Sequence, residues 1–230
     1  MNRRSEPSGG ATGCIRAAIL DFDGVILESV EVKTEAFRSL FADVPDHVDE
    51  IVEYHRENTG VSRFDKFRHI YATILKRDLS DRDFDRLSAR YHELVIDGVL
   101  ASPYVAGAEG FLERFSRRIP LYVVSASPEG ELTDIITKRG MTRYFRGIFG
   151  APRRKVDCIR AIRDLEHLDP PQVLFVGDAL NDYRAAREAG VSFAGRLHPG
   201  EPDRFTGKEG IVTVVHDLDG LGRFLENRTC

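Results

Sequence analysis

Residues 15–25 read IRAAILDFDGV, an apolar run that stops at Asp21 and Asp23. Side chains two apart on a β-strand point to the same side, so both carboxylates should enter one pocket. A buried strand gains little stability from ending in two like charges and a glycine. The stretch instead favours a site that holds a cation and presents a nucleophile.

Two later apolar runs end in the same way. Residues 121–124 (LYVV) precede Ser125, Ala126 and Ser127, and residues 173–176 (VLFV) precede GDALND at 177–182. Short apolar runs that are each followed by a helical pattern predict parallel strands covered on both faces, which makes the fold class α/β. Ligands bind beyond the carboxyl ends of such strands, so these polar residues and Lys155 should converge on one site.

A long helical stretch separates the first strand from the rest of the α/β pattern. Four helical patterns without an intervening strand cover residues 28–42, 48–57, 62–76 and 81–97. The stretch either only completes the core or forms a second domain. We favour a small α-helical cap domain inserted after the first strand, at residues 29–103, because the insertion begins directly after the acidic pair. The catalytic core would then comprise residues 14–28 and 104–230, and residues 1–13 would form a disordered tail.

Composition excludes several classes of partner. The chain has 230 residues, of which 42% are hydrophobic, and a net charge of -4. Lysine and arginine are interspersed with acidic residues, which argues against nucleic acid as a partner. No apolar stretch approaches the roughly 20 residues needed to cross a membrane, so we expect no membrane partner. We expect a monomer or a weak dimer.

The cysteines give an expectation about the compartment. Cys14, Cys158 and Cys230 lie far apart and form no CxxC pair. That spacing argues against a disulfide framework or a zinc site, and for a reducing, cytoplasmic location.

The polar residues at the strand ends suit phosphoryl transfer. A carboxylate such as Asp21 can attack phosphorus when the phosphoryl charge is neutralised. Mg²⁺ prefers oxygen ligands, so Asp21 and Asp178 are candidate ligands, with Asp182 orienting or completing the set. Lys155 would place a positive charge against the phosphoryl group, and Ser125 would donate a hydrogen bond to it.

Asp23 has a different expected role from Asp21. On the same face but not attacking, it would give a proton to the leaving alcohol. It would later take a proton from the water that hydrolyses the acyl phosphate. Simpler roles exist for each residue taken alone: a water-facing turn for Asp21 and Asp23, a helix cap for Asp178 or Asp182, a turn for Ser125 and a solvated side chain for Lys155. Their order after the right strands favours the shared site.

The same residues resemble a known family. DFDGV at 21–25, Ser125 after LYVV, Lys155, and GDALND at 177–182 resemble the four motifs of the haloacid dehalogenase-like (HAD) hydrolase superfamily. The resemblance implies a Rossmann-like core, an aspartyl-phosphate intermediate and Mg²⁺. It also implies that Asp21 is the nucleophile, that Asp23 is the acid/base, and that the Asp23 backbone carbonyl joins Asp21 and Asp178 as a metal ligand.

The insertion resembles the helical cap of phosphoglycolate phosphatase-like and β-phosphoglucomutase-like members. Residues 60–63 (GVSR) resemble a mutase segment whose arginine holds the non-transferring phosphate. Arg63 is therefore either a binder of a remote anionic group or a surface arginine. Lys33 stands where the mutase carries a histidine that works with the acid/base. The expected substrate-binding residues are Gly24, Ala126, Arg63 and Lys33, and the expected metal residues are Asp21, Asp23, Asp178 and Asp182.

The function predicted from the sequence is a Mg²⁺-dependent phosphatase that acts on a small phosphorylated metabolite. The alternative is a phosphomutase of the β-phosphoglucomutase type, which would need a second phosphate site. A signalling receiver domain would carry its acidic pair and phosphoacceptor in a different order, without a helical insertion. An inactive binding protein is disfavoured because every catalytic position is filled. The family's dehalogenases lack the second aspartate of the first motif, so Asp23 argues against dehalogenation.

Overall fold

The structure, a computed structural model, describes residues 14–229, so the expected disordered tail at residues 1–13 lies outside the described residues. Its centre is a six-stranded sheet in which all neighbouring strands are parallel. The strand order is β3-β2-β1-β4-β5-β6. The strands are β1 Ala17–Leu20, β2 Leu121–Pro128, β3 Gly147–Ala151, β4 Val173–Gly177, β5 Ser192–Arg196 and β6 Ile211–Val215. The predicted α/β fold with a Rossmann-like sheet is confirmed.

The apolar runs build a hydrophobic core on each face of this sheet. Ala18 and Leu20 of β1 belong to one buried cluster, whereas Ala17 and Ile19 belong to the other. The alternation follows from the two-residue period of a strand. All four residues of β1 are fully buried, which explains why the run is apolar throughout and does not alternate with polar residues.

Helices cover both faces of the sheet. The second core takes residues from α7 (Lys155–Leu165) and α8 (Leu180–Ala189). The first core takes residues from α5 (Ala108–Phe115), α6 (Glu129–Lys138) and α9 (Leu218–Leu225).

The helical insertion, residues 30–101, packs against the first core. It comprises α1 Val30–Leu40, α2 Val48–Glu57, α3 Arg63–His69, a π-helical turn Ile70–Ile74, and α4 Asp81–Ala101. Helices α3 and α4 begin at Ser62 and Ser80, whose hydroxyls accept hydrogen bonds from backbone N–H groups three residues on. Aromatic residues hold the insertion together, with Phe37 lying against His55, Phe67 and Tyr91.

Several boundaries differ from the sequence prediction. Strand β2 continues past the apolar run at residues 121–124 and ends at Pro128, so it includes Ser125. Strand β3 begins only at Gly147, after a 3₁₀ turn at Thr142–Tyr144. The single helix predicted for residues 62–76 changes to a π-helical turn after His69.

The cysteines differ from expectation at one position. Cys158 on α7 is buried and forms no disulfide, so it packs as a small apolar residue. Cys14, however, takes part in a disulfide, which the cysteine spacing did not predict. Among residues 14–229, no helix is both long enough and apolar enough to span a membrane.

Candidate active site

The strand order brings the predicted polar residues to one edge of the sheet. Strand β1 lies between β2 and β4, and Leu20 is in register with Val123 on one side and Val176 on the other. Asp21 and Asp178 therefore follow β1 and β4, and Ser125 lies in β2, two residues beyond the partner of Leu20. A cavity of about 70 Å³ opens there. Its lining combines these strand ends with residues of the helical insertion, namely Asp21, Asp23, Ser125, Ala126, Ser127, Asp178, Lys33, Phe37, His55, Arg63, Lys66 and Tyr91.

Asp21 and Asp182 share one lysine. Lys155, the first residue of α7, donates to Asp21 Oδ2 at 2.7 Å and to Asp182 Oδ1 at 2.5 Å. All three side chains are buried, with at most 8% of each exposed. Burial would lower the pKa of Lys155, but the two carboxylates outweigh it and raise that pKa, so the ammonium stays charged.

The candidate nucleophile carries a perturbed pKa. Burial, with smaller contributions from Asp182 and Asp23, raises the pKa of Asp21 to about 7 against the lowering influence of Lys155. The other oxygen, Asp21 Oδ1, accepts a hydrogen bond from the Phe22 N–H at 2.7 Å. Such a buried carboxylate in a cleft is typical of a functional site.

Asp21, Asp178 and Asp182 form a cluster that suits a divalent cation. One oxygen of each lies within 4.8 Å of the others. When all three are ionised, they and the single charge of Lys155 leave two negative charges, which one divalent cation would neutralise. Both oxygens of Asp182 accept hydrogen bonds, Oδ1 from Lys155 and Oδ2 from the Ala179 N–H at 3.1 Å, and both oxygens of Asp21 do so as well. The geometry therefore lets any of the three ligate a cation, and Asp182 in addition holds Lys155.

Gly24 leaves room for this cluster. Its φ is +72°, and a Cβ on it would lie 2.3 Å from Asp178 Oδ2. Only glycine meets both requirements without strain. The predicted substrate-binding role of Gly24 stays a prediction, but its contact is with the acidic cluster.

A histidine that the sequence analysis did not single out contacts Asp178. His198 Nε2 lies 2.8 Å from Asp178 Oδ2, and its Nδ1 lies 2.8 Å from Arg196. A guanidinium can only donate, so Nδ1 must accept and Nε2 must carry the hydrogen that Asp178 receives. Arg196 is buried, pairs with Glu28 and donates to the Gly24 carbonyl at 3.0 Å. The end of β5 is thereby tied to the loop after β1.

Asp23 belongs to a separate network from Asp21. Its Oδ1 accepts from the Ser29 hydroxyl at 2.6 Å, and its Oδ2 accepts from Lys33 and, at 3.3 Å, from Ser127. Burial would raise the pKa of Asp23. The charge and hydrogen bond of Lys33, together with the hydrogen bonds from the Ser29 and Ser127 hydroxyls, instead hold that pKa below the usual range. The carboxyl of Asp23 is not part of the acidic cluster, so any ligation by Asp23 falls to its backbone carbonyl, as the resemblance implies.

The serine-containing end of β2 lies beside this network. Ser125 is 3% exposed, and its Oγ accepts from the Ser127 N–H at 3.2 Å. That bond leaves the Ser125 hydroxyl hydrogen available to a ligand in the cavity. Ala126 lines the same cavity.

Arg63 is not a surface residue. It is 6% exposed, and both terminal nitrogens bind Glu131 of α6, with NH1 at 3.0 Å from Oε2. His92 Nδ1 lies 2.6 Å from the same Oε2, and Tyr91 lies under the guanidinium at 4.5 Å. The surface interpretation is therefore wrong, and the guanidinium fork is already occupied by a carboxylate.

Lys66 is a further residue of the cavity, which the sequence analysis did not single out. It is 3% exposed, and its ammonium lies 3.1 Å from His55 Nδ1 and 3.3 Å from the His55 carbonyl oxygen. The sequence signal available was its position three residues after Arg63 on α3, which puts both on one face of the helix.

Fold and site together define an α/β enzyme core with an acidic pocket at the strand ends. The family described as haloacid dehalogenase-like hydrolase matches residues 18–196, and the chain belongs to that family. Its relatives indicate that it is a phosphatase. Phosphoglycolate phosphatase 1 of Pseudomonas aeruginosa is 24% identical over 221 residues, which cover 92% of this chain and 80% of the relative.

Solved structures show the same fold. A candidate β-phosphoglucomutase of Bacteroides vulgatus superposes with a TM-score of 0.73 at 15% identity, covering 91% of this chain and 87% of that one. The candidate HAD hydrolase YfnB of Bacillus subtilis, described as bound to magnesium, superposes with a TM-score of 0.67 at 17% identity. That match covers 92% of this chain and 99% of YfnB.

Proposed function

We propose that this phosphatase is Mg²⁺-dependent and hydrolyses a small phosphorylated metabolite through an aspartyl-phosphate. The observation that carries the proposal is the division of the buried carboxylates into two networks. Asp21 lies with Asp178, Asp182 and Lys155, whereas Asp23 lies with Lys33 and two serines. Asp21 is thus set against a cationic group and a metal-binding cluster, whereas Asp23 is set apart for proton transfer, for which it must leave the ion pair with Lys33 that lowers its pKa.

Asp21 and Asp178, with the Asp23 backbone carbonyl, would hold the metal. The family's structure of YfnB, described as bound to magnesium, supports Mg²⁺ as the ion. When bound, Mg²⁺ neutralises charge on the phosphoryl oxygens and lets an anionic nucleophile approach. Lys155 adds a second positive charge, and the Ser125 hydroxyl donates to a phosphoryl oxygen.

The residues of the chain then divide the reaction between them. An Asp21 carboxylate oxygen forms a bond to phosphorus while the bond from phosphorus to the ester oxygen breaks, and the leaving alcohol takes its proton from Asp23. A water molecule, deprotonated by Asp23, next attacks the phosphorus of the acyl phosphate and releases inorganic phosphate. Asp21 returns to its carboxylate form, and Asp23 is again protonated.

The helical insertion would act as a cap domain over this site. It supplies Lys33, His55, Arg63 and Lys66 to the cavity, so its position controls access. The monomer or weak dimer expected from the sequence remains part of this proposal, and so does the cytoplasmic location, although the Cys14 disulfide removes the cysteine spacing as an argument for a reducing compartment.

Phosphate release from a panel of phosphorylated metabolites tests the function. The name of the Pseudomonas relative puts 2-phosphoglycolate first in that panel. We expect release to require Mg²⁺ and to be lost in Asp21→Asn, while Lys138→Met, on the exposed face of α6, keeps full activity. Metal-independent release, or full activity in Asp21→Asn, would contradict the mechanism. Following product isomers on sugar phosphates separates hydrolysis from the phosphomutase alternative.

A further inference from the structure

Three cationic side chains of the insertion line the cavity beside Asp21: Lys33, Arg63 and Lys66. Two of them already have a carboxylate partner. Lys33 pairs with Asp23, and Arg63 pairs with Glu131. Within residues 14–229, no carboxylate oxygen forms an ion pair with Lys66.

Among the residues that the structure describes, the Lys66 ammonium makes polar contacts with His55 alone. An ammonium can only donate, so His55 Nδ1 at 3.1 Å must accept, and the imidazole is neutral. Burial, with the nearby charges of Lys66 and Lys33, lowers the pKa of His55 to about 2, which agrees with that assignment. His55 therefore supplies no countercharge. Its two acceptors use two of the three hydrogens of the ammonium, and one hydrogen is left for a ligand.

A buried cation without a countercharge is costly for a folded protein. Burial and the charge of Lys33 outweigh the opposing charge of Asp23 and lower the pKa of Lys66 to about 7. Its Nζ also lies 5.5 Å from the centre of the Phe37 ring, a contact that a methionine at this position would keep without the charge. An anion entering the cavity would relieve the cost, so Lys66 fits recognition of a ligand better than it fits stability.

We propose that Lys66 binds a carboxylate of the substrate and that the enzyme therefore selects phosphomonoesters of short hydroxy acids. This rests on the proposed function, because Asp21 and Lys155 are taken to hold the phosphoryl group. Lys66 offers one positive charge beside a neutral imidazole, which a monoanionic carboxylate matches. A second phosphate would carry a larger charge and is typically bound by an arginine fork, and the fork of Arg63 is occupied by Glu131.

The cavity of about 70 Å³ must hold both the phosphoryl group and the rest of the ester, which favours a short substrate. The apolar walls, Val30, Phe37 and Val61, suit the few carbons between the two anionic ends.

The test compares three esters of similar size: 2-phosphoglycolate, ethyl phosphate without a carboxylate, and ethane-1,2-diol bisphosphate with a second phosphate. We expect wild type to prefer 2-phosphoglycolate in kcat/KM. Lys66→Met should raise KM for 2-phosphoglycolate by about 10- to 100-fold, the worth of a charged hydrogen bond, and leave ethyl phosphate unchanged. The control Lys76→Met, which removes an exposed lysine of the same insertion, should change neither.

Three results would overturn the proposal. Equal kcat/KM for 2-phosphoglycolate and ethyl phosphate in wild type would remove the carboxylate site. Equal losses on both esters in Lys66→Met would make Lys66 a structural residue. Preference for the bisphosphate would assign the site to a second phosphate.

Calorimetric binding of the same esters without Mg²⁺ separates this inference from the proposed function. Selective binding of 2-phosphoglycolate that Lys66→Met abolishes, without phosphate release when Mg²⁺ is added, would contradict the function and support the inference. Phosphate release without selective binding of 2-phosphoglycolate would support the proposed function and contradict the inference about Lys66.

Discussion

His198 donates a hydrogen bond from Nε2 to Asp178 Oδ2 at 2.8 Å, with Arg196 at its other nitrogen. The imidazole thereby holds a candidate metal ligand in place from the end of β5. Groups that orient metal ligands typically change metal affinity about 10- to 100-fold when removed.

His198→Ala should therefore weaken Mg²⁺ binding by about 10- to 100-fold. His198→Gln, whose amide can still donate, should recover part of the loss. Calorimetric titration with Mg²⁺ measures the affinity directly, and the Mg²⁺ dependence of phosphate release should shift in parallel. His47→Ala, at a partly exposed histidine of the insertion, is the control. Unchanged Mg²⁺ affinity in His198→Ala would show that this hydrogen bond does not support the ligand.

The network around His198 illustrates what the sequence could and could not predict. Asp21, Ser125 and Asp178 each end an apolar run, and parallel strands bring such ends together, so local patterns were enough. The insertion was predictable for the same reason, because its helical periodicity is local. His198 and Lys66 carry no such pattern. Their partners are set by how β5 packs beside β4 and how α2 packs beside α3, which a single sequence does not reveal.

The pairing of Arg63 with Glu131 was unpredictable in the same sense. The two residues are 68 positions apart, on the insertion and on α6. The motif around Arg63 pointed to a phosphate ligand, and only the three-dimensional contact identifies the protein's own carboxylate at that position. Because Arg63 pairs with Glu131, Lys66 and not Arg63 is the cavity cation that has no carboxylate partner among residues 14–229.

Lys155 should be essential to stability as well as to activity. Lys155→Met removes the only ion-pair partner of Asp21 and Asp182 within residues 14–229, so without Mg²⁺ it should lower the free energy of unfolding by about 3–5 kcal/mol. Lys155→Met/Asp182→Asn should regain part of that loss, because one uncompensated charge is gone. Denaturant unfolding of both variants, with the exposed Lys138→Met as the reference, measures the difference. A double variant less stable than Lys155→Met would contradict the ion-pair account.

Gly24→Ala should disturb the acidic cluster beyond the cost of its backbone conformation. The chain offers a matched control in Gly140, which has a φ of +68° and no atom within 4 Å of an added Cβ. Gly140→Ala should cost only about 1–2 kcal/mol for a left-handed residue. Gly24→Ala should cost more and should also weaken Mg²⁺ binding, because its Cβ would lie 2.3 Å from Asp178 Oδ2. Denaturant unfolding and calorimetric Mg²⁺ titration of both variants check this. Equal changes in stability and in Mg²⁺ affinity for the two variants would show that the contact with Asp178 does not matter.

The buried charge of Lys66 should make its contribution to stability depend on pH. Lys33 of α1, His55 of α2, Asp23 after β1 and Lys155 of α7 surround it, and burial is the main cause that lowers its pKa to about 7. Below pH 7 the folded protein carries the buried ammonium at full cost. Between that pH and the ordinary lysine pKa, the folded state binds fewer protons than the unfolded state, so stability rises with pH and the cost is relieved.

The free energy of unfolding of Lys66→Met minus that of wild type should therefore be larger at pH 6 than at pH 9. Methionine also leaves the two acceptors of His55 without their donor, a cost that does not vary with pH. The pH dependence of the difference, and not its absolute sign, is thus the quantity to read. Denaturant unfolding at both pH values measures it, and Lys76→Met should show no such dependence. A difference between Lys66→Met and wild type that is constant from pH 6 to pH 9 would mean that the ammonium is solvated or paired, and would remove the physical reason for assigning it to a ligand.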